Sequence, residues 1–225
     1  MHPVIEAIRG GLIVSCQAYP GEPMRDPGTT AQVARSVVAG GAVAVRTQGL
    51  ADIRAVHQAV DVPVIGIWKD GSEGVFITPT LEHAQAVADA GAHVVALDGT
   101  TRPRPDGLTL AQTVRGLRQH HQVVVMADCG SVPDALAAQQ AGVDLIGTTL
   151  AGYTGARAKT AGPDLAFISE LLRQCQLPVV AEGRVHTTQQ AAAAMDRGAF
   201  AVCVGTAITH PSTITSWFRE AIAGG

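Results

Sequence analysis

Aromatic residues are scarce in this chain, at 4% of 225 residues, and 16 Lys+Arg stand against 19 Asp+Glu, a formal net charge of −3. A protein with neither a positive stripe nor a base-stacking platform lacks the two terms that hold nucleic acid, which counts against that partner. Long apolar runs are missing too. None approaches the ~18 residues of a membrane span. The opening Met1-His2-Pro3-Val4-Ile5-Glu6 carries an acidic residue and no cleavable apolar stretch. The expectation is a cytoplasmic protein with no membrane partner. Cysteine is limited to Cys16, Cys129, Cys175 and Cys203, without CxxC or Cys/His ligand spacing, and reads as buried reduced thiol. The histidines form no HExxH-type pair, so metal catalysis is discounted, although Asp98, Asp128 and Glu182 are oxygen donors that a Mg²⁺ could use.

What is present is apolar: 47% hydrophobic against 16% charged residues. That composition and length fit one compact domain over residues 1–225, burying roughly 70% of its unfolded surface without staples. Short β-branched runs predict strands over Leu12–Gln17, Ala42–Arg46, Pro63–Lys69, His93–Asp98, Val123–Asp128, Asp144–Thr149, Pro178–Glu182 and Ala201–Gly205. They are apolar almost throughout, as strands covered on both faces must be. Helices are expected between them, over Thr30–Ala39, Leu81–Ala90, Leu110–Gln119, Pro133–Ala141, Leu165–Gln174 and Thr188–Arg197, with a last one over Ile214–Ala223. Thr80, Ser131 and Thr187 stand where N-caps belong, and Gly40, Gly91, Gly142 and Gly198 where left-handed C-caps belong.

Those glycines also open a repeat of about 50 residues, each interval holding two βα units. Eight units in four pairs fit a closed (β/α)8 TIM barrel of the α/β class. The competing open doubly wound sheet would carry a GxGxxG after its first strand, and none is present.

In a barrel the chemistry gathers where the strands end. The expected strand ends are Gln17, Arg46, Lys69, Asp98, Asp128, Thr148 with Thr149, Glu182 and Gly205. One lysine, one arginine and three carboxylates suit proton transfer on a polar, anionic small molecule. Phosphate has its own address, the loops after strands seven and eight. There Gly183, Arg184, Gly205 and Thr206 combine close backbone approach with helix N-termini. The small-residue stretch 151–162 fits a lid or a plain surface connection equally well.

Taken in order, Gly11-Leu-Ile-Val-Ser-Cys-Gln-Ala, Ile65-Gly-Ile-Trp-Lys69, Ile77-Thr-Pro-Thr80, Met126-Ala-Asp128, Thr148-Thr-Leu-Ala-Gly-Tyr-Thr154, Ala181-Glu-Gly183 and Val204-Gly-Thr-Ala-Ile-Thr209 resemble the N-acetylmannosamine-6-phosphate 2-epimerases. The resemblance implies a TIM barrel that interconverts N-acetylmannosamine 6-phosphate and N-acetylglucosamine 6-phosphate in sialic acid and aminosugar catabolism, with no cofactor. It carries catalysis onto Lys69 and Glu182 and substrate positioning onto Gln17, Arg46 and Asp128, with Thr149 and Tyr153 added to the substrate-binding set. Three places depart from the family pattern: Asp70-Gly71-Ser72 after the lysine, Cys129-Gly130-Ser131 after Asp128, and His210 where an arginine is common near the phosphate. Two other classes stay open, a Schiff-base lyase using Lys69 and a sugar-phosphate binder without activity. Trp217 and Phe218, adjacent on the last helix, fit either a homodimer interface or the barrel's own wall.

Overall fold

The computed structural model describes residues 2–224. Eight parallel strands close into a barrel in sequence order: β1 Leu12–Cys16, β2 Ala44–Gln48, β3 Val64–Ile67, β4 Val94–Asp98, β5 Val124–Asp128, β6 Leu145–Gly147, β7 Val179–Glu182 and β8 Ala201–Val204. The ring shuts where Ile13 of β1 pairs with Cys203 of β8. Around it lie α2 Pro27–Ala39, α3 Leu50–Ala59, α4 Leu81–Asp89, α5 Leu110–Arg118, α6 Val132–Ala141, α7 Leu165–Gln174, α8 Thr188–Asp196 and α10 Pro211–Ala223, with α1 Pro3–Ala7 and α9 Thr206–Thr209 as short additions. The (β/α)8 expectation holds, and α1, α3 and α9 are helices the apolar pattern did not announce.

Alternation along each strand divides the apolar residues into two layers. Val14, Val45, Val95, Val125 and Ile146 face the helices, where they meet Ala34, Ile53, Val87 and Phe167. Ile13, Ala44, Ile65, Val94, Val124, Leu145, Val180 and Ala201 fill the interior with Ile5 and Ile8. Thus α1 stoppers the lower mouth. Ile8 is wholly buried, a burial that stabilises by about 1.5–3 kcal/mol.

Thr80, Ser131 and Thr187 each accept the backbone N–H of the third residue beyond, as caps should. Gly91, Gly142 and Gly198 do take left-handed φ, whereas after α2 that conformation falls on Gly41 rather than Gly40.

Several strand ends move. β1 stops at Cys16 and β8 at Val204, so Gln17 and Gly205 lie just beyond the ladder. β2 runs on to Gln48 and holds Arg46 within it. β6 is shorter at both ends: the Asp144 carboxylate accepts the Val125 N–H at 2.8 Å and an Arg118 N–H at 2.7 Å, and Thr148 and Thr149 follow the strand. β3 ends at Ile67, and Lys69 sits instead in a short antiparallel bridge with Ile77.

Candidate active site

The Lys69 bridge is a local fold-back. Thr78 N–H donates to Trp68 O at 2.8 Å and Asp70 N–H to Phe76 O at 3.0 Å, so the segment after β3 doubles over the barrel mouth. The turn is secured by Thr78, which is fully buried at φ 46 and donates its hydroxyl to Ala96 O at 2.7 Å. A β-branched residue at positive φ is strained by about 1–3 kcal/mol, a cost the surrounding bonds offset. Lys69 Nζ then donates to Gln17 Oε1 at 2.9 Å, and the Gln17 amide donates to Ser15 Oγ at 2.7 Å.

Arg46 projects from β2 into the barrel, 1% exposed. Its Nη1 and Nη2 donate to the two Asp128 oxygens at 3.1 and 2.5 Å. Nη1 also lies 3.1 Å from Glu182 Oε2, a charge contact without hydrogen-bond alignment. Thr149 Oγ1 donates to Asp128 Oδ1 at 2.7 Å. Gly147 leaves room for this: a Cβ there would come within 2.5 Å of Met126 Cε and 2.9 Å of Asp128 Oδ1. Burial alone would pull the Arg46 pKa down, but Asp128 and Glu182 outweigh it and hold the guanidinium charged.

Two groups are pushed the other way. Burial lowers the Lys69 pKa from 10.5 and Arg46 adds to the shift, while Glu182 and Asp128 oppose it. Burial raises the Glu182 pKa and Asp128 adds to that, against the pull of Arg46. The site therefore favours a neutral amine and a protonated carboxyl more than water would, the direction proton-transfer chemistry near neutrality needs.

Lys69, Glu182, Arg46, Gln17, Thr149 and Tyr153 line one cavity of about 510 Å³, together with Gly183, Arg184, Gly205, Thr206 and His210. Of the residues assigned from the sequence to catalysis, substrate or phosphate, only Asp128 is off its wall, paired with Arg46. Asp98, counted as a rim carboxylate, is turned into its own loop: it accepts from Thr100 N–H and Oγ1 at 2.9 and 2.6 Å and from Arg102 Nη2 at 2.7 Å. Among the described residues no three His, Cys, Asp or Glu side chains converge as metal ligands.

The Arg184 side chain is also committed elsewhere. It donates to Ala151 O at 2.8 Å, Gly162 O at 3.2 Å and Thr160 Oγ1 at 3.0 Å. Arg157 pairs with Asp164 and Glu170 at 2.9 and 2.7 Å. Segment 151–162 is thus pinned by two arginines, which favours a fixed connection over a lid. What remains at the expected phosphate address is backbone: Gly183 at φ 107, Arg184 at φ 57, and the first N–H groups of α9 at Thr206 and Ala207.

The cavity also recruits residues the sequence did not single out, namely Ser15, Tyr19, Phe76, Arg102, His186 and Cys203. Ser15 and Cys203 were legible in principle, since strand alternation from Ile13 and Ala201 points both inward. Tyr19 and Arg102 sit on loops with no periodic signal.

A family model, NanE, described as "Putative N-acetylmannosamine-6-phosphate epimerase", matches residues 30–224. The chain belongs to this family. A relative from Cutibacterium acnes is 62% identical over 221 residues, 97% of this chain and 96% of that protein, and one from Caldanaerobacter subterraneus is 43% identical over 218 residues, 96% and 92%. Both bear the name "Putative N-acetylmannosamine-6-phosphate 2-epimerase". Among solved structures, the N-acetylmannosamine-6-phosphate 2-epimerase of Clostridium perfringens superimposes with a TM-score of 0.94 at 32% identity, covering 98% of this chain and 96% of that one. A thiamine phosphate pyrophosphorylase from Pyrococcus furiosus, TM-score 0.62 and 16% identical, shares the fold alone. In this chain Lys69 and Glu182 both line the one cavity described above.

Proposed function

We propose that this chain epimerises N-acetylmannosamine 6-phosphate to N-acetylglucosamine 6-phosphate at C2, as an isomerase of sialic acid and aminosugar catabolism. The observation that carries the reading is the opening of Lys69 and Glu182 onto one cavity, with Arg46 against Glu182. A cavity of about 510 Å³ suits a ligand of this size.

The hydrogen at C2 becomes acidic only beside a free C1 carbonyl, so ring opening comes first. Lys69, whose ammonium form burial and Arg46 disfavour, takes the C2 proton as the neutral amine and leaves an enolate whose oxygen Arg46 stabilises. Glu182, whose ionised form burial and Asp128 disfavour, carries the C1 hydroxyl proton to the ring oxygen in ring opening, or delivers a proton at the opposite face of C2. The net change is one hydrogen removed from C2 and one restored with inverted configuration, and no external redox partner enters the balance. Glu182 Oε2 and Arg46 Nε are buried without hydrogen-bond partners, and such atoms call for a ligand group to satisfy them. Gln17 and Thr149 position the open chain, Asp128 holds Arg46, and Tyr153 covers the sugar. The phosphate rests on the backbone of Gly183, Arg184, Gly205 and Thr206, beside His210.

The setting inferred with this activity is cytoplasmic, supported by four unpaired, buried cysteines and by the absence, among the described residues, of a helix able to cross a membrane. A homodimer through α10 is supported by Phe218 and Ile222, 68% and 80% exposed, while Trp217 packs on His186 at 4.9 Å.

Proton NMR of N-acetylmannosamine 6-phosphate incubated with the protein in D₂O tests the reading. Deuterium is expected at C2 of both sugars. No exchange would leave a binder, and a lysine trapped by borohydride in the presence of substrate would make it a Schiff-base lyase.

A further inference from the structure

Three apolar residues on the cavity wall take no part in proton transfer: Ile67 at the end of β3, and Phe76 and Ile77 on the segment that folds back after it. Ile67 and Ile77 are buried in the interior apolar layer, and Phe76 packs against that layer. A guanidinium stands beside them. Ile77 O accepts the Asp98 N–H at 2.9 Å, and the Asp98 carboxylate in turn accepts from Arg102 Nη2 at 2.7 Å. Thr100 Oγ1 accepts from Arg102 Nε at 3.0 Å. One edge of the guanidinium is thus fixed. Nη1 has no partner among the described residues, on a side chain that is 30% exposed and lines the cavity.

We propose that this corner seats the 2-acylamino group of the substrate, its methyl against Ile67, Phe76 and Ile77 and its carbonyl oxygen accepting from Arg102 Nη1. The assignment rests on the epimerase reading above. Connectivity sets the place. The acylamino nitrogen is bonded to the carbon whose hydrogen Lys69 removes, so the acyl group lies close to the Lys69 amine. Lys69 and Ile77 stand opposite one another in their antiparallel bridge, which puts the two side chains on one face with Cβ atoms about 4.5–5.5 Å apart. Ring order agrees: β3 and β4 lie four strands round from β7 and β8, across the mouth from the backbone proposed for the phosphate. The methyl is the one wholly apolar group of the ligand, and an amide oxygen taken out of water needs a donor. With a hydroxyl at C2 instead, the apolar wall stays uncovered and Nη1 unmet. The corner therefore selects 2-acylamino sugar phosphates over their 2-hydroxy counterparts, and Asp98 is the residue that positions Arg102.

Calorimetry with open-chain alditol 6-phosphates, which lack the carbonyl and cannot epimerise, reads the subsite apart from turnover. The probes are glucitol 6-phosphate and its 2-acetamido-2-deoxy and 2-propionamido-2-deoxy counterparts. In the parent the acetamido ligand should bind most tightly. Arg102→Met is expected to weaken it about ten- to a hundredfold, what a charge-assisted hydrogen bond is worth, and to leave glucitol 6-phosphate little affected. Arg102→Lys keeps a donor and should lose less. Phe76→Ala opens the wall and should shift the preference about tenfold toward the propionamido ligand, the scale of one methylene. Equal loss for glucitol and acetamido ligands in Arg102→Met, the result of an arginine that meets the phosphate or only braces its loop, overturns the inference. So does an unchanged acyl preference in Phe76→Ala. Deuterium exchange at C2 judges the epimerase reading separately: exchange in the parent with equal losses here strikes the subsite alone, and acyl-selective binding without exchange does the reverse.

Discussion

Asp98 and Asp128 end neighbouring strands, sit opposite one another in the sheet register, and are both fully buried. Each also pairs with an arginine. The arginine makes the difference. Arg46 reaches Asp128 from β2, 82 residues away in sequence, and so spans the barrel interior with one face toward the cavity. Arg102 lies four residues after Asp98 on the same loop, and the pair folds that loop upon itself. Position at a strand end brings a carboxylate to the mouth of the barrel; a partner from a distant strand sets Asp128 across the interior, whereas a partner four residues on turns Asp98 into its loop and leaves only Arg102 on the cavity wall.

The largest effects are expected from removing Lys69 and Glu182, which line the cavity with Arg46. Lys69→Met and Glu182→Gln are each expected to lower kcat by about 10²–10⁴-fold, the range for loss of a general acid or base. Thermal unfolding should stay cooperative in both; parental turnover in either variant would remove that residue from the chemistry.

Next in size come the two aspartates themselves. Asp128→Asn unbalances a buried ion pair and is expected to cost about 3–5 kcal/mol of stability with loss of turnover. Asp98→Asn leaves an arginine whose side chain is 30% exposed and can turn to water, so about 1–2 kcal/mol and near-parental kcat are expected. Urea denaturation beside turnover reads both. Equal damage from the two substitutions would break the contrast.

The smallest effect is a displacement along the pH axis. In the proposed mechanism Lys69 acts as the neutral amine, and burial lowers its pKa from 10.5, so kcat/KM should rise with pH along a limb on the acid side of that value. Gln17→Glu places a carboxylate at a contact now 2.9 Å long, favours the ammonium, and should move the limb upward by about 1–3 pH units. An unmoved limb would mean that Lys69 is not the group titrating.

Much of this was legible in the sequence, for reasons that also set the limit. Eight β-branched runs between alanine-rich stretches are the direct imprint of strands buried on both faces, so the barrel could be read from period alone. Lys69, Arg46 and Glu182 stood out because each closes an apolar run in the sequence, a signal that Asp98 shares without reaching the cavity. Strand ends were less secure, because the ladder stops where a partner runs out, and Asp144 or Lys69 finds its partners through tertiary contacts. Helix α3 was missed because Gly49 caps it without a side-chain bond. Arg184 was assigned to phosphate by address, yet its guanidinium goes to carbonyls at 151 and 162, a choice made by a distant loop. Arg102 gave no signal: a basic residue in a Pro/Gly-rich connection looks like any solvated turn.

The pairing of β1 with β8 has a consequence for how the molecule comes together. Thr209 Oγ1 donates to Ser15 O across 194 residues, and His210 meets Glu22 across 188. The end of the cavity proposed for the phosphate is consequently stitched from the two stretches whose union demands the greatest loop-closure entropy, and it forms late in any route that zips the strands in order. A sugar phosphate bound there as proposed would bridge that suture as a clasp, stabilising the sealed cylinder over forms in which the first and last staves have parted.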